Sequence, residues 1–144
     1  MHKLTQKLNI RYANINVSKY SQFDLKKEFN KDSKPLINFN TNFNFQVKQE
    51  KNLLICIISL NLSIIETGES YCDLVIENEF EIKQLSKILI KNKAKEFNVP
   101  VEILRTLVSM SSSTMRGILY EKSKGTMIQN EIYPIFDPSK IIKD

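Results

Sequence analysis

The chain has 144 residues, 42% of them hydrophobic and 26% charged, and a formal net charge of +5. Its length and apolar content match a single domain, residues 1–144, built around one core. No run of about 18 apolar residues occurs, which excludes a membrane-spanning helix. Residues 1–7 lack the apolar region of a secretory signal, so we expect a cytoplasmic protein with no membrane insertion.

The positive charge is concentrated in the first quarter of the chain. Residues 1–40 contain eight Lys or Arg and three Asp or Glu, whereas residues 41–144 contain thirteen of each kind. This composition has two interpretations. The segment is either a basic arm that binds nucleic acid or an acidic partner, or a solvated loop with scattered lysines. No arginine cluster or aromatic RNA-binding signature accompanies the lysines, so we favour the solvated loop. A nucleic-acid-binding or specific protein-interaction module stays the alternative.

The residues that catalysis needs are scarce. His2 is the only histidine, and no nucleophile elbow, P-loop, dinucleotide-binding or zinc-protease motif occurs. The three glycines, Gly68, Gly117 and Gly125, are too scattered to hold a phosphate. The sequence therefore predicts a binding protein without catalytic residues, metal site or cofactor.

The first predicted strand covers residues 9–17. Its apolar positions change parity between Tyr12 and Ile15, which predicts a bulge or a bend. The connection that follows, residues 18–37, is long and contains Phe23, Leu25, Phe29, Leu36 and Ile37. Because these residues are large and apolar, we expect the connection to fold back over the domain.

The next two predicted strands, residues 38–49 and 52–65, alternate with opposite parity. Phenylalanines occupy odd positions of the first of these strands, and its even positions from Asn38 to Gln46 are Asn or Gln. In the second strand the even positions from Leu54 to Ile64 are apolar. A two-residue loop, Glu50-Lys51, pairs Val47 with Leu54 and Phe45 with Cys56, so the apolar faces agree and a hairpin is predicted.

The fourth predicted strand covers residues 69–82. A Thr67–Glu69 loop, with Gly68 or a neighbour at positive φ, places Cys56 opposite Phe80 and Cys72 opposite Ile64. The two cysteines are then about 26 Å apart, which is too far for a disulfide, and we expect buried core thiols. The outward face carries four acids, which form either a docking surface for a basic partner or an ordinary solvated face: Asp73, Glu77, Glu79 and Glu81.

Two helices and an extended tail complete the prediction. Apolar spacing predicts a helix over residues 83–97 and a second over residues 100–124, with Pro100 in its first turn. Gly125 is the residue expected just after a helix, and residues 125–144 form the tail. The serines of residues 109–113 allow another element to approach the second helix closely.

This layout resembles the SecB-type protein-export chaperones and their SecB-like relatives. The specific part is the segment SKGTMIQNEIYPIFDPSKI, in which Lys124-Gly125-Thr126 ends the second helix and Pro134 follows. Arg116 also falls where the helix of that family commonly carries an arginine. The resemblance implies an α+β fold, with a four-stranded antiparallel sheet followed by two helices packed on one face.

The resemblance also implies a function, an assembly and partners. Such chaperones are homotetramers that bind non-native client polypeptides in hydrophobic grooves without ATP, and they assemble through helices and first strands. Export members dock on the translocase motor SecA, whereas dedicated members serve one client such as an antitoxin, and the sequence leaves both open. By position, seven residues are expected to bind the client: Phe23, Phe29, Leu36, Phe39, Met115, Tyr133 and Phe136. For Phe39 and Met115, burial in the core is an equal expectation.

Overall fold

The computed structural model describes residues 9–26, 35–91 and 97–143. Four antiparallel strands form a sheet in the order β1-β4-β3-β2, and a two-stranded ladder joins β5 to β6. The predicted α+β class is confirmed. In chain order the elements are β1 (Ile10–Gln22), β2 (Ile37–Lys48), β3 (Leu53–Ile64), β4 (Ser70–Ile82), α1 (Leu85–Ile88), β5 (Ile90–Lys91), β6 (Phe97–Asn98), α2 (Val101–Lys122) and α3 (Pro138–Ile141).

Strand β1 is longer than predicted and lies at one edge of the sheet. Its pairing with β4 shifts between Tyr12 and Asn14, where the sequence predicts a bulge, and again between Val17 and Lys19. After the second shift Tyr20 pairs with Leu74, so the strand continues to Gln22 instead of ending at residue 17. Of the connection that follows, residues 27–34 lie outside the described residues.

The hairpin of β2 and β3 has the predicted register. Val47 pairs with Leu54 and Phe45 with Cys56. The turn is longer than two residues, because a 3-10 turn over Gln49–Lys51 is followed by Asn52 at φ +55. Asparagine tolerates this left-handed conformation better than most residues. Asn52 also connects this turn to the end of β4, since its carbonyl oxygen accepts a hydrogen bond from the Ile82 amide at 2.9 Å.

The register of β3 against β4 differs from the predicted one by two residues. Cys56 pairs with Asn78 instead of Phe80, and Cys72 pairs with Leu62 instead of Ile64. Gly68 has the expected positive φ, +75°, but the turn begins earlier, with the Gly68 amide 2.7 Å from the Ile64 carbonyl oxygen. The pairing still joins even-numbered residues, from Leu54 with Phe80 to Leu62 with Cys72, so the apolar residues of both strands share one face as predicted.

Both cysteines are buried and free, as the sequence predicts. Burial raises the pKa of each thiol to about 11, because a thiolate loses its hydration inside the core. Asn78 is also buried, and its side-chain amide donates to the Cys56 carbonyl oxygen at 3.1 Å. A polar residue is thus accommodated within an apolar strand face.

The structure differs from the predicted helix over residues 83–97. Among the described residues of this range, which leave out 92–96, only Leu85–Ile88 is helical, and Ile90–Lys91 pairs with Phe97–Asn98. Gln84 precedes the turn at φ +56, and Leu89 already has extended backbone angles, so the helix ends after one turn. Leu85 and Leu89 are nevertheless buried in the core. The apolar spacing therefore predicted these two core positions, although the backbone at Leu89 is extended.

Helix α2 covers the inner face of β3 and β4. Its buried side chains include Leu107, Met115 and Leu119, which join the even-numbered residues of the two strands in one core. Ser111 is fully buried, and its small side chain permits close approach to the sheet, as the sequence predicts. Among the described residues, no helix is long and apolar enough to span a membrane.

Candidate functional site

The tail runs back along α2 and covers the inner face of β2. Gly125, at φ +78, lies where the chain turns after the helix. Arg116 of α2 then holds the tail, since its Nε donates to the Tyr133 carbonyl oxygen at 3.1 Å and its Nη2 to that of Pro134 at 3.3 Å. Near the other end of the helix, Arg105 Nε donates to the Ile142 carbonyl oxygen at 2.9 Å.

Four aromatic rings join the tail to β2. The Tyr133 ring lies 6.0 Å from that of Phe39 and 5.3 Å from that of Phe136, between ring centroids, and Phe136 lies 6.1 Å from Phe43. Tyr133 is only 1% exposed, and its hydroxyl lies 2.9 Å from Thr41 Oγ1. Burial raises the pKa of Tyr133 to about 12. The chain's own tail therefore fills this part of the expected groove.

An open cleft of about 430 Å³ lies on the other side of the tail, against the exposed face of α2. Tyr120 is 58% exposed and Ile132 69% exposed, which are high values for side chains of this size and polarity. Gly117 adds no side chain, and a Cβ built there meets nothing within 4 Å. We call this the helix–tail cleft; its lining residues are Ser113, Arg116, Gly117, Tyr120, Glu131 and Ile132.

A second exposed apolar surface, the sheet-end patch, consists of Phe23, Leu36 and Ile65. The Phe23 amide donates to the Tyr71 carbonyl oxygen at 2.9 Å, and the Ile65 amide donates to that of Leu36 at 3.0 Å. These bonds continue the ladders one residue beyond the strands. Strand alternation therefore places all three side chains on the outer face, opposite α2.

The structure separates the seven residues expected to bind a client. Phe23 and Leu36 are exposed in the sheet-end patch, whereas Phe39, Tyr133 and Phe136 belong to the aromatic cluster. Met115 is fully buried in the core, and Phe29 lies outside the described residues. The sequence reasoning missed Tyr120 and Ile132. The sequence did indicate that both could be exposed. Tyr120 lies outside the apolar stripe of α2, and Ile132 is the neighbour of Tyr133 in an extended segment, where adjacent side chains point to opposite sides.

The four acids on the outward face of β4, which we call the acidic row, are each paired with a side chain of β1; they are Asp73, Glu77, Glu79 and Glu81. Arg11 forms two hydrogen bonds with Glu81, at 2.9 and 3.2 Å, and holds the pKa of that carboxyl below its ordinary value. Lys19 contacts Asp73 at 3.3 Å. The other two pairs use neutral amides, Asn14 with Glu79 and Asn16 with Glu77, both at 2.9 Å. Glu77 and Glu79 are thus hydrogen-bonded to these asparagines without a compensating positive charge in either pair.

Comparison with known proteins identifies the fold. No protein-family model and no curated protein matches this sequence. The SecB-like chaperone Rv1957 of Mycobacterium tuberculosis, solved with a ChAD peptide from the antitoxin Rv1956 HigA1, matches 84% of this chain and 81% of its own, with a TM-score of 0.55 and 10% identity. A Streptococcus agalactiae protein of unknown function matches 90% of this chain and 98% of its own, with a TM-score of 0.44 and 15% identity. The chain therefore has a SecB-like fold.

Proposed function

We propose that this protein is a chaperone that binds non-native polypeptide without ATP. The observation that carries the proposal is the helix–tail cleft, where Tyr120 and Ile132 leave large apolar surfaces in water. Contiguous apolar surface of this kind marks interaction sites in folded proteins. The solved SecB-like neighbour contains a bound antitoxin peptide, which supports a polypeptide as the ligand.

The cleft suits a client of variable sequence. Tyrosine and isoleucine offer apolar contact without demanding a particular hydrogen-bond pattern. The sheet-end patch supplies Phe23 and Leu36 as further contacts, and Phe29, which lies outside the described residues, stays a proposed client-binding residue from the sequence alone. Phe39 and Phe136 are partly buried and pack on Tyr133. Because Tyr133 and Met115 are buried, we propose that they stabilise the domain beside the cleft.

The client class and the assembly belong to the same proposal. An antitoxin or another single client, and a set of exported proteins, both present the apolar extended segments that the cleft would bind. Delivery to the motor SecA would use the acidic row, where Glu77 and Glu79 are hydrogen-bonded to asparagines and, within the described ranges, to no cation. We also propose a cytoplasmic homotetramer, because assembly would extend separate clefts into a longer surface for one polypeptide.

The test is binding of a fluorescein-labelled, reduced and alkylated protein that cannot refold, followed by anisotropy. Replacing both Tyr120 and Ile132 by Ser should weaken binding roughly 10- to 100-fold, about 1.4–2.7 kcal/mol, because a client covers only part of each side chain and full burial of one such side chain contributes about 1.5–3 kcal/mol. Ile15→Ser, at an exposed apolar position of β1, is the matched control and should leave affinity unchanged. Unaltered affinity in the double variant would exclude the cleft as the binding site.

Salt separates this function from the nucleic-acid alternative. Apolar binding should persist at high ionic strength, whereas binding of nucleic acid by the basic N-terminal segment should weaken steeply. Arg11 and Lys19, two cations of that segment, are already paired with Glu81 and Asp73. A complex with the unfolded protein that dissociates at high salt would contradict the chaperone proposal.

A further inference from the structure

Charge is segregated along the second half of the chain. Residues 69–81, which include most of β4, contain five acids and no Lys or Arg. Residues 83–95 contain five lysines and no acid. The balanced total over residues 41–144 conceals this reversal, and the structure determines where the two signs lie. The acidic row faces side chains of β1, whereas Lys83 and Lys87 lie in the segment that follows β4.

Two short segments meet at the end of the sheet where β2 and β4 finish: the β2–β3 turn, residues 48–52, and residues 83–88 after β4. The Asn52 carbonyl oxygen accepts a hydrogen bond from the Ile82 amide at 2.9 Å, and the Asn52 side-chain oxygen accepts one from the Leu85 amide at 3.3 Å. Asn52 thus joins the two segments. We call this end of the domain the basic end; its lysines are Lys48, Lys51, Lys83 and Lys87.

The lysines of the basic end are exposed and uncompensated. Glu50 is the only acid in the two segments, so four lysines stand against one carboxylate, a net charge of +3. In the part of the chain that the structure describes, none of the four lysines belongs to an ion pair. Glu81, near Lys83, is already paired with Arg11 at 2.9 Å. The basic end therefore keeps a positive charge that these carboxylates do not neutralise.

We propose that the basic end docks this protein on the surface of an anionic lipid bilayer, as a peripheral contact without insertion. Lysines close to anionic headgroups strengthen such binding one by one, and they need no fixed geometry. Val47, which is 38% exposed beside Lys48, adds an apolar contact at the same end. Docking leaves the helix–tail cleft free, because the residues that line the cleft belong to the C-terminal half of α2 and to the tail.

A flat surface across the strand ends meets the basic end and avoids most of the acidic row. A strand rises about 3.3 Å per residue, which places Glu79 roughly 10 Å and Glu77 roughly 17 Å behind Ile82 along β4. Charges that are more than about 8 Å away are largely screened at physiological ionic strength. A bilayer therefore attracts the lysines of the two segments with little repulsion from these carboxylates.

The residue types at the basic end favour a bilayer over a nucleic acid. Single-stranded nucleic acids bind to aromatic side chains on which their bases stack, and arginine is suited to bidentate contacts with phosphate. Neither segment of the basic end contains an aromatic residue or an arginine. An anionic bilayer requires neither, because it presents many charged headgroups in one plane.

The test is sedimentation of the protein with vesicles made of equal parts of phosphatidylglycerol and phosphatidylcholine, and with vesicles of phosphatidylcholine alone. We expect binding to the anionic vesicles only, and weaker binding as the salt concentration rises. Lys48→Gln/Lys51→Gln and Lys83→Gln/Lys87→Gln should each lower the partition coefficient about 30-fold, because each lysine contributes roughly fivefold. Circular dichroism should be unchanged, since all four lysines are exposed.

Lys26→Gln/Lys124→Gln is the matched control, because it removes the same charge at the opposite end of the domain. The Lys26 amide donates to Glu69, just before β4, and Lys124 follows α2 and pairs with Glu121. This variant should bind the anionic vesicles as the wild type does. An equal loss in the control would show that net charge alone drives binding and would overturn the proposal. Absence of binding to the anionic vesicles, or binding to poly(U) RNA in their place, would also overturn it. Binding of the unfolded protein is measured separately at the helix–tail cleft, so either proposal can fail alone.

Discussion

The Tyr133 hydroxyl of the tail lies 2.9 Å from Thr41 Oγ1, at the middle of the edge strand β2. This contact joins two segments that are 92 residues apart in the chain. It closes the inner face of β2 while the backbone edge of the same strand stays open. The tail is therefore part of the folded domain, and the cleft on its other side depends on it.

Removing the Tyr133 side chain should destabilise the protein. Tyr133→Ala deletes a buried aromatic ring and should cost about 3–5 kcal/mol of unfolding free energy. Tyr133→Phe keeps the ring and removes only the hydroxyl contact with Thr41, at about 1 kcal/mol. Urea unfolding measures both values. Ile135→Ala, at a tail position that is 87% exposed, should change stability by less than about 0.5 kcal/mol. Equal effects of Tyr133→Ala and Ile135→Ala would show that the tail is not packed.

The hydroxyl of Tyr12 connects β1 to α2 and to the buried Asn78. It lies 2.7 Å from Thr114 Oγ1, 3.2 Å from the Met110 carbonyl oxygen and 3.3 Å from Asn78 Oδ1. Tyr12→Phe should cost about 1–2 kcal/mol, because the single hydroxyl proton serves one of these acceptors, which loses its donor, while the ring contact with Phe80 remains. Thermal unfolding measures the loss. Tyr120→Phe, at an exposed position, serves as the control, and a comparable loss there would contradict this account.

Stability should fall at alkaline pH because of the buried thiols. The pKa of Cys56 and that of Cys72 are both raised by burial from 9.0 to about 11. The unfolded chain loses these protons first, so their contribution is complete below pH 9 and disappears as pH rises to about 11. Replacing both cysteines by Ala should flatten this decline in urea unfolding measured from pH 8 to 11. A variant that declines as steeply as the wild type would show that other groups cause the effect.

Gly117 offers a variant that affects the cleft without loss of folding. Gly117→Ala should stabilise the protein by about 0.5–1 kcal/mol, because alanine favours the helix and the added Cβ meets nothing within 4 Å. Gly117→Leu should also fold, but its side chain would occupy the helix–tail cleft and weaken binding of the unfolded protein. Thermal unfolding and anisotropy separate the two effects. Undiminished binding by Gly117→Leu would place the client elsewhere.

Local periodicity was enough for most of the secondary structure. Alternation of Phe and Asn predicts β2 and its register against β3, because period-two patterns assign each side chain to a face. The same reasoning failed over residues 83–97, where apolar spacing suggested a helix but Leu89 is extended. A short apolar pattern is compatible with more than one backbone conformation, and packing decides between them.

The candidate site depended more on tertiary structure. The sequence singled out Tyr133 and Phe136 as client-binding residues, which stays a prediction, and only the fold shows that they pack on Phe39 and Phe43. Their contacts join segments far apart in the chain, and no local pattern encodes such a distance. Tyr120 and Ile132 emerge as exposed only once the tail lies beside α2.

The sequence by itself determined the fold class, the β2–β3 hairpin, the extent of α2 and the scarcity of catalytic residues. The fold class was implied by the resemblance of the whole layout to a known family, and the other three follow from local spacing or from residue type. Tertiary structure decided the register of β3 against β4, the pairing of the acidic row with β1 and the return of the tail over β2. Those features depend on which distant segments meet, and that choice is made by the free energy of packing the whole domain.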